Sequence, residues 1–327
     1  MRVLVSGGAG YVGSVSVEHL LAAGHSVTVL DSLVTGHRAA VPEGAVLVEG
    51  SLGDGPALER ALREDGIEAV LHCAARALVG ESVAEPALYY RENLVGGVTL
   101  LDAMRRAGVS RLVFSSSAAV YGSPESTPIT EDQPQRPINP YGETKLAFER
   151  ALAWYGQAYG LRAVALRYFN VAGASESRGE DHVPETHLIP NVLGAALGGP
   201  RLSILGDDYP TPDGTCIRDY IHVSDLADAH AAALDLSATL APGLEACNLG
   251  SGSGFSVAQV ISAAERVTGR AVPRQTAPRR PGDPAVLVAS NARARELLGW
   301  TPRRGSLDEM IGSAWHWRQG HLDGYAD

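Results

Sequence analysis

Short runs of aliphatic and β-branched residues alternate with longer stretches of helical character along the first half of this chain. Glycine often stands just past a helical stretch and proline just inside one, which is the asymmetry that helix ends favour. The first two elements are Arg2–Ser6, predicted as a strand, and Tyr11–Ala23, predicted as a helix. This alternation favours parallel strands joined by crossover helices. We therefore predict an α/β fold with a doubly wound parallel sheet.

The same alternation continues and then changes after Tyr168, where loops lengthen and prolines gather. Predicted strands are Ser26–Leu30, Ala45–Val48, Ala69–Cys73, Arg111–Ser115 and Arg162–Arg167, and predicted helices are Pro56–Asp65, Pro86–Ala107, Asn139–Tyr159, Ser256–Thr268 and Asn291–Leu298. The stretch Ile221–Leu236 is predicted as the end of a strand followed by a helix. We expect a first domain over residues 1–168, to which residues 217–240 return. A smaller α/β C-terminal domain is expected over residues 169–327.

Gly7, Gly10 and Gly13 lie between the first predicted strand and the first predicted helix. Glycines permit a tight turn there and let the main chain approach a pyrophosphate at the helix N-terminus. Their G-x-x-G-x-x-G spacing differs from the G-x-G-x-x-G of many dehydrogenases, and a purely structural turn is the alternative. Asp31 ends the second strand, where a carboxylate accepts both ribose hydroxyls and repels a 2′-phosphate, unless it merely begins an Asp-Ser turn. These features predict a Rossmann-type domain that binds NAD rather than NADP.

Tyr141 and Lys145 lie four residues apart near the start of a predicted helix. That spacing puts both side chains on one helix face, so the ammonium can lower the pKa of the phenol. The positive end of the helix dipole also favours a phenolate. Ser117 follows a strand, at the edge where open α/β sheets bind ligands. We predict Tyr141 as general base and acid for a substrate hydroxyl, and Lys145 as the tuning cation. Ser117 would orient that hydroxyl or relay its proton. For the tyrosine and lysine alone, a solvated helix face is the alternative.

Composition excludes several other classes of function. A formal net charge of -10 over 327 residues argues against binding to nucleic acid or to an anionic membrane surface. The three cysteines, Cys73, Cys216 and Cys247, are isolated, so neither a disulfide framework nor a metal site is predicted. No apolar run approaches the length of a membrane span, and Met1–Ser6 is a strand rather than a signal peptide. We expect a cytoplasmic protein.

Eight stretches of the sequence match motifs of one known family. They are Gly7–Gly13, Val79–Ser82, Phe114–Gly122, Tyr141–Lys145, Arg167–Gly173, Asp208–Thr215, Arg218–Val223 and Arg280–Asp283. Together they resemble the extended short-chain dehydrogenase/reductase family, and within it the enzymes that epimerise UDP-sugars at C4. The resemblance covers nearly the whole chain. Its stretches in the second half are much more specific than the glycine loop.

The resemblance implies an isomerase that converts UDP-galactose to UDP-glucose with NAD, as in galactose metabolism. Tyr141 would take the proton of the sugar 4-hydroxyl while the C4 hydride moves to NAD. The 4-keto sugar would then turn and receive the hydride on its other face. The resemblance also implies a homodimer formed by two long helices, Pro86–Ala107 and Tyr141–Tyr159.

Residue roles follow from the same resemblance. The implied cofactor contacts are Gly7, Gly10, Tyr11, Val12, Gly13, Asp31, Ser32, Ser51, Leu52, Cys73, Ala74, Ala75, Asn93, Ser115, Tyr141, Lys145 and Tyr168. The implied substrate contacts are Ser117, Tyr141, Asn170, His187 and Leu188 around the sugar, Ser203 and Leu205 at the uracil, and Arg218, Arg280 and Asp283 at the UDP and ribose. Arginines at the diphosphate also make physical sense in a chain of net negative charge, because arginine binds phosphate oxygens bidentately, although surface arginines in loops are the alternative.

Three positions depart from the family pattern. Ser51 stands where an aspartate usually follows the glycine of the adenine-contacting loop. Ala77 replaces a lysine near the nicotinamide ribose, and Val15 replaces a histidine at the start of the first helix. These changes concern cofactor affinity more than the chemistry, and they predict that NAD exchanges more readily here.

Five alternatives stay open beside this interpretation. A nucleotide-sugar 4,6-dehydratase or a decarboxylating synthase would need acidic residues directly after Ser117, where this chain has Ala118 and Ala119. An epimerase of another UDP-sugar, namely UDP-N-acetylglucosamine, a UDP-uronic acid or a UDP-pentose, is compatible with Leu287 at the position that gates the 2-substituent. A simple alcohol dehydrogenase would use the same first step. A non-enzymatic NAD sensor would tend to lose Tyr141 or Lys145.

Overall fold

The computed structural model describes residues 1–280 and 283–326. The strands and helices of the first half are β1 (Arg2–Ser6), α1 (Tyr11–Ala22), β2 (Ser26–Asp31), β3 (Val46–Glu49), α2 (Gly55–Glu64), β4 (Ala69–His72), α3 (Val79–Ala84), α4 (Pro86–Tyr89), α5 (Gly96–Ala107), β5 (Arg111–Ser117), α6 (Pro140–Tyr159) and β6 (Arg162–Tyr168). The predicted alternation is therefore present, with the first strand at its predicted bounds.

The second half contributes shorter and more scattered elements. These are β7 (Asn170–Ala172), α7 (Leu188–Ala196), β8 (Leu202–Leu205), β9 (Ile217–His222), α8 (Val223–Leu236), β10 (Gly243–Leu249), β11 (Gly254–Ser256), α9 (Val257–Thr268), β12 (Arg274–Ala277), β13 (Val286–Leu287), α10 (Ala292–Leu298) and α11 (Leu307–Gly320). Sequence reasoning did not predict β10, α7 or α11. No helix among the residues described here has the length and apolar character that crossing a bilayer requires.

A seven-stranded sheet organises the molecule in the order β10-β6-β5-β4-β1-β2-β3, and all of its pairings are parallel. The predicted doubly wound Rossmann-type fold is confirmed by this order, because the chain moves outward from β1 in both directions. Strand β10, from beyond residue 240, closes one edge by pairing with β6. The smaller sheets, β11-β9-β13 with β7 on β9 and β12-β8, belong to the second half.

Both faces of the large sheet are covered by helices, as buried parallel strands require. Alternate residues of β1 face opposite ways: Val3 and Val5 lie in an apolar cluster with residues of α1 and α8, whereas Leu4 joins a cluster with α2, α5 and α6. This alternation follows from the two-residue period of a strand. The carboxyl ends of the parallel strands are left as one common edge.

The predicted single helix Pro86–Ala107 is interrupted, which corrects the sequence interpretation. Residues Tyr90–Val95 form a π-helical segment between α4 and α5. A π segment widens the helix locally and is frequent at functional sites. Here it carries Asn93, a buried side chain that the sequence assigned to the cofactor.

Candidate active site

The predicted catalytic and cofactor residues meet at the carboxyl edge of the sheet. Ser6 pairs in register with Leu30 and with His72, and Ser117 pairs with Tyr168. The residues that follow these strand ends are therefore neighbours across the edge. This is the place where open α/β sheets bind their ligands.

Helix α6 brings Tyr141 and Lys145 to this edge. The Asn139 side chain caps the helix by accepting a hydrogen bond from the Gly142 amide at 2.9 Å, and Pro140 occupies the first turn. Both of these side chains, which the sequence predicts as catalytic, are buried. The Lys145 ammonium donates a hydrogen bond to the Ser115 carbonyl at 2.8 Å and lies 5.8 Å from the centre of the Tyr141 ring.

The predicted lowering of the Tyr141 pKa is not the net result in this arrangement of protein groups. Burial raises the pKa of Tyr141 above its ordinary value of 10.0, and the opposing influence comes from a hydrogen-bonding interaction with the Ser117 side chain. Desolvation disfavours the charged phenolate, which is why burial outweighs the nearby hydroxyl. Ser117 thus interacts with Tyr141, and it also accepts a hydrogen bond from the Ala119 amide at 3.1 Å.

Lys145 responds to the same burial in the opposite sense. Burial lowers the pKa of its ammonium from 10.5 to about 8, while the thiol of Cys73 and the carboxylate of Glu149 act to raise it. Its ammonium also lies 4.8 Å from the centre of the Phe114 ring, a cation–π distance. Lys145 is the only lysine in the sequence. The other 26 of its 27 lysine and arginine residues are arginines.

Two glycines of the loop, Gly7 and Gly13, are required by the packing of the protein itself, whereas Gly10 is not. A methyl group added to Gly13 would overlap the carbonyl oxygen of Gly7, and Gly7 has a left-handed φ of 75° with the Ala74 backbone pressed against it. A methyl group on Gly10 would meet only the Gly7 oxygen at 3.5 Å, an ordinary contact. Close packing of strand and helix explains Gly7 and Gly13, whereas Gly10 leaves open space that fits a pyrophosphate at the start of α1.

Asp31 ends β2 and holds the main chain on both sides of the loop. One of its carboxylate oxygens accepts from the Ala9 amide at 3.0 Å, and the other accepts from the Leu33 amide at 2.9 Å. A carboxylate offers about four acceptor sites, so two remain for ribose hydroxyls. The turn interpretation and the ribose interpretation of Asp31 are therefore compatible. The neighbouring Ser32 is exposed.

The segment after β4 is held by backbone hydrogen bonds and by Asn93. The Ser6 carbonyl accepts from the amides of both Cys73 and Ala74 at 2.9 Å. Asn93 accepts from the Arg76 amide at 2.8 Å and donates to the Arg76 carbonyl at 3.0 Å. Its amide thus fixes the loop that begins with the predicted cofactor residues Cys73, Ala74 and Ala75.

A buried chain of polar side chains includes the predicted cofactor residues Cys73 and Ser115. The Ser115 hydroxyl lies 3.2 Å from the Cys73 sulfur and 3.1 Å from Nε2 of His230, whose Nδ1 lies 3.0 Å from the Ser16 hydroxyl. Burial lowers the pKa of His230 to about 3, so this imidazole is neutral. The Tyr168 ring packs edge-on against His230, and burial raises the pKa of its phenol.

The remaining predicted cofactor residues lie around the same loop. The Tyr11 phenol donates to the Gly173 carbonyl at 2.5 Å, and Val12 packs partly buried beside it. Ser51 is exposed and accepts from the Gly53 amide at 3.1 Å, while Leu52 packs partly buried against the α2–α5 side of the core. Ala77, at the position of the missing lysine, is exposed.

Among the predicted substrate residues, the structure joins Arg218 and Asp283. The Arg218 guanidinium donates to Asp283 at 2.6 Å. Arg280 is exposed and acts on the pKa of Cys216 together with these two residues, so all three share one neighbourhood. Pro281 and Gly282, which complete the stretch Arg280–Asp283, lie outside the described residues.

Other predicted substrate residues lie on separate elements. Asn170 is exposed on β7 and donates to the Asp219 carbonyl at 2.8 Å. Ser203 and Leu205 lie on β8, which pairs with β12. Within residues 1–280 and 283–326, neither of these two is hydrogen-bonded to the Arg218–Asp283 pair.

His187 lies directly before Leu188, the first residue of α7, and takes part in a cluster of ionisable groups. Its Nδ1 lies 2.5 Å from the Glu180 carboxylate and 3.4 Å from that of Glu185. These carboxylates raise the pKa of His187 to about 10 against the opposing effect of burial. Sequence reasoning assigned His187 to the substrate and did not notice the acidic partners.

Sequence reasoning also missed a buried ion pair beside strand β5, the strand that ends in Ser115, Ser116 and Ser117 and is called the serine strand below. Arg167 donates to both carboxylate oxygens of Glu149, at 3.0 Å from Nε and 2.6 Å from Nη2, and Ser116 donates to the same carboxylate at 2.5 Å. Arg167 also donates to the Tyr121 hydroxyl at 2.9 Å. The available signals were an arginine in the apolar strand β6 and a glutamate one helical turn beyond Lys145.

Comparison with known proteins agrees with this geometry. The family model described as the NAD dependent epimerase/dehydratase family matches residues 3–250. The chain belongs to this family. The prediction of NAD as cofactor is confirmed by that membership.

Relatives extend the likeness over the whole chain. The UDP-glucose 4-epimerase of Lacticaseibacillus casei is 49% identical, and the alignment covers 100% of this chain and 99% of that protein. The crystal structure of UDP-glucose 4-epimerase from Brucella ovis in complex with NAD superposes with a TM-score of 0.93 at 48% identity, covering 97% of this chain and 98% of that one. The Bifidobacterium longum enzyme in complex with NAD+ and UDP gives a TM-score of 0.93 at 38% identity, covering 99% and 100%. The predicted resemblance to the UDP-sugar 4-epimerases is thereby confirmed.

Proposed function

We propose that this protein is a UDP-glucose 4-epimerase that interconverts UDP-galactose and UDP-glucose with NAD. The observation that carries the proposal is the grouping of Ser117, Tyr141 and Lys145 at the sheet edge that also holds the glycine loop. Full-length similarity to enzymes named UDP-glucose 4-epimerase supports the same reaction.

Tyr141 is the proposed acid and base at the sugar 4-hydroxyl. A positioned side chain that transfers a proton in this way contributes roughly 10²- to 10⁴-fold to a rate. Burial raises the pKa of Tyr141, so its phenol form is well suited to return a proton to the sugar oxygen. The Ser117 hydroxyl, which interacts with the phenol, favours the phenolate that takes the proton away.

Lys145 supplies positive charge to this site from a fixed position. Its ammonium is anchored on the Ser115 carbonyl at the end of β5. Ser117 ends the same strand. This hydrogen bond therefore helps to fix the position of helix α6 against the strand that carries Ser117. A buried cation that is held in place stabilises developing negative charge on an oxygen without reorganisation.

The cofactor residues fit NAD. Gly10 leaves space for a pyrophosphate, and Asp31 keeps acceptor sites for a ribose. NAD, when bound, supplies reversible hydride acceptance at C4 of the sugar, which allows a 4-keto sugar to regain hydrogen on its other face. We propose that Asn93 contributes by holding the loop after β4 rather than by reaching the cofactor itself, because its amide already bonds Arg76 and Thr144.

Arg218, Arg280 and Asp283 are the proposed ligands of the UDP moiety. Arg218 is largely buried and already paired with Asp283, so the pair is pre-organised to present a guanidinium to phosphate oxygens. Asn170, His187 and Leu188 are proposed at the sugar, and Ser203 and Leu205 at the uracil. The UDP-bound structure of the Bifidobacterium longum enzyme supports a UDP ligand.

A broader UDP-sugar specificity is the second candidate, and Leu287 is the observation that favours it. Leu287 pairs with Arg218 in the β13–β9 ladder and packs beside the buried Val120 and Tyr121. A leucine fixed there is smaller than a tyrosine that would block a 2-acetamido group. The UDP-N-acetylhexosamines therefore belong in the first assay.

We further propose a homodimer formed by the two helical segments named above. Large apolar side chains on these segments are exposed: Tyr90 at 40%, Val95 at 59%, Trp154 at 67% and Tyr159 at 56%. Clustered exposure of this kind marks protein–protein surfaces. Light scattering of the wild type and of Trp154→Glu tests this proposal. The wild type should have the mass of a dimer, whereas a charge at position 154 should disrupt the interface and give a folded monomer.

We also propose a division into two domains and a cytoplasmic location. Residues 1–168 with 217–240 would hold NAD, and residues 169–327 would hold the UDP-sugar. Helix α8 packs against α1, and its apolar residues join the same cluster as β1, which supports the return of 217–240. A cytoplasmic location fits the three free cysteines among the described residues, since disulfides are rare in a reducing compartment. A role in galactose metabolism is proposed from the reaction itself.

The test is incubation of the purified protein with UDP-galactose, without added NAD, followed by separation of the products. UDP-glucose as the product is the expected result and establishes a redox-neutral 4-epimerase. Absence of product even with added NAD would overturn the proposed substrate, and UDP-N-acetylgalactosamine is the next substrate to test. Accumulation of reduced NAD with a stable keto sugar would instead indicate a dehydrogenase.

A further inference from the structure

Four ionisable side chains converge in the loop between β7 and α7. They are Glu180, His182, Glu185 and His187, and one potential ligand atom from each lies within 4.8 Å of all the others. In the sequence they form an E-x-H-x-x-E-x-H pattern. None of them was predicted as a metal ligand, because the sequence search for metal sites considered cysteine spacing.

The distances within the cluster suit a small tetrahedral ion. His182 Nδ1 lies 3.2 Å from Glu180 and 4.0 Å from Glu185, and His187 Nδ1 lies 2.5 Å and 3.4 Å from the same two carboxylates. Zinc bonds of about 2.0–2.2 Å at tetrahedral angles put neighbouring ligand atoms about 3.4 Å apart. In both imidazoles the same ring nitrogen, Nδ1, therefore lies near the same two carboxylates.

Charge and surrounding contacts favour a divalent cation. Two carboxylates and two neutral imidazoles together carry two negative charges. The two imidazole rings lie with their centres 5.5 Å apart, so both reach the same pair of carboxylates. Glu185 is already oriented, because its carboxylate accepts from the amides of Thr186 and His187 at 2.7 Å. Such outer hydrogen bonds orient metal ligands.

A cavity gives an ion a path to the cluster. It has a volume of about 310 Å³, and its walls include Glu180, His182 and Glu185 together with Ile189 and Trp317. Asp181, between the two first ligands, accepts from the Tyr325 amide at 2.9 Å. The cluster therefore lies where the β7–α7 loop meets the C-terminal segment.

We propose that Glu180, His182, Glu185 and His187 form a binding site for one Zn²⁺-like divalent transition-metal ion. Two imidazole nitrogens and two carboxylate oxygens are a ligand set that such ions accept. The role of the ion is structural: it cross-links the loop that leads into α7. Binding through Nδ1 leaves the Nε2 hydrogen of His187 free to donate, so the proposed contact of this residue with substrate is retained.

The test uses untagged full-length protein, treated with a chelator and then dialysed. Titration with zinc chloride in a calorimeter is expected to give one ion per chain, with an accompanying rise in the melting temperature. His182→Gln and Glu185→Gln are each expected to weaken zinc binding by more than about 100-fold, since even outer-shell changes cost 10- to 100-fold. His316→Gln, which changes an exposed histidine on α11, is the matched control and should bind as the wild type does.

X-ray absorption spectroscopy of the zinc-loaded wild type makes the test independent of variant folding. Nitrogen and oxygen ligands at about 2.0–2.1 Å are expected, whereas a sulfur shell near 2.3 Å would assign the ion to a cysteine and overturn the proposal. Absence of stoichiometric binding by the wild type would overturn it as well. So would unchanged binding in the double variant His182→Gln/Glu185→Gln.

Discussion

The Lys145 ammonium donates a hydrogen bond to the main-chain carbonyl of Ser115 at 2.8 Å, and this bond joins helix α6 to the end of strand β5. Both groups are buried, so the bond is shielded from water and from salt. Its geometry explains why an ammonium suits this position. A planar guanidinium is larger and presents a fork of donors rather than one compact charge.

The first prediction concerns the charge of Lys145. Because the sequence contains a single lysine, labelling with ¹⁵N- and ¹³C-lysine gives one side-chain NMR signal. We expect this signal to titrate with a pKa of about 8 instead of the ordinary 10.5. In Glu149→Gln the pKa should be lower still, since Glu149 stabilises the ammonium. Titration near 10.5 would contradict the buried position.

The same shift has a consequence for stability. Between about 8 and 10.5 the unfolded chain binds the proton that the folded chain has lost, so stability rises with pH across this window. Lys145→Met should remove this part of the slope. Urea unfolding of the two proteins at several pH values measures the difference, and identical slopes would count against the assignment.

The second prediction separates the glycines of the loop. Gly13→Ala should fail to fold or lose most of its stability, because the added methyl would overlap the Gly7 carbonyl. Gly10→Ala should melt like the wild type without cofactor, since its methyl makes only an ordinary contact, but it should bind NAD at least roughly tenfold more weakly. Thermal melting and calorimetric titration with NAD are the measurements. Equal NAD affinity in Gly10→Ala would show that the pyrophosphate does not approach this residue.

The third prediction concerns the ion pair under the serine strand. Glu149→Gln leaves the Arg167 guanidinium buried without its counter-charge, and breaking a buried pair in this way typically costs about 3–5 kcal/mol. Urea unfolding measures the change in free energy. Glu176→Gln, at an exposed position, is the control and should unfold like the wild type. A small change in Glu149→Gln would mean that Ser116 and Tyr121 suffice to hold Arg167.

The central part of the fold was predictable because its sequence signals are local and regular. Each strand from β1 to β6 is a short run rich in aliphatic and β-branched residues, and helices between them such as α2, α5 and α6 have a glycine or proline at an end. These runs predicted the sheet. The carboxyl-edge position of Ser117 followed from the parallel topology alone. No distance was needed for that step.

Elements of the second half were missed for physical reasons. Helix α7 contains Pro190 and Gly194, which weaken the helical signal, although proline is tolerated in a first turn. Strand β10 mixes Glu245, Cys247 and Asn248 into an edge strand, so neither an apolar run nor alternation is visible. Both elements are stabilised by tertiary packing, which propensity does not report.

The electrostatics of the site were the least predictable part. The i,i+4 spacing placed Tyr141 and Lys145 on one helix but could not tell how deeply each would be buried. Burial is what sets the direction of both pKa shifts. The pairing of His187 with Glu180 likewise depends on a loop conformation that no sequence pattern encodes.

The fourth prediction concerns the departure at Ser51. Ser51 is exposed, and its hydroxyl accepts from the Gly53 amide, a bond that an aspartate can also make. Ser51→Asp should therefore fold normally and retain more NAD through purification, with an affinity for NAD higher by roughly tenfold, the effect of one charge-assisted hydrogen bond. Cofactor content and calorimetric titration are the measurements. Ser126→Asp, in another exposed loop, controls for the added charge, and no gain at Ser51 would mean that the loop does not reach the cofactor.

The fifth prediction concerns the proton transfer itself. Tyr141→Phe removes only the hydroxyl, so the buried ring and the edge-on contact with Tyr89 are kept and the fold should survive. The rate of UDP-galactose conversion should fall by roughly 10²- to 10⁴-fold with little change in KM, because the lost group acts in the transition state. Tyr155→Phe, on the same helix and bonded to Asp102, is the matched control and should keep its activity. If Tyr141→Phe stayed active while Ser117→Ala did not, the proton would have to pass through the serine, and the roles assigned to the two hydroxyls would exchange.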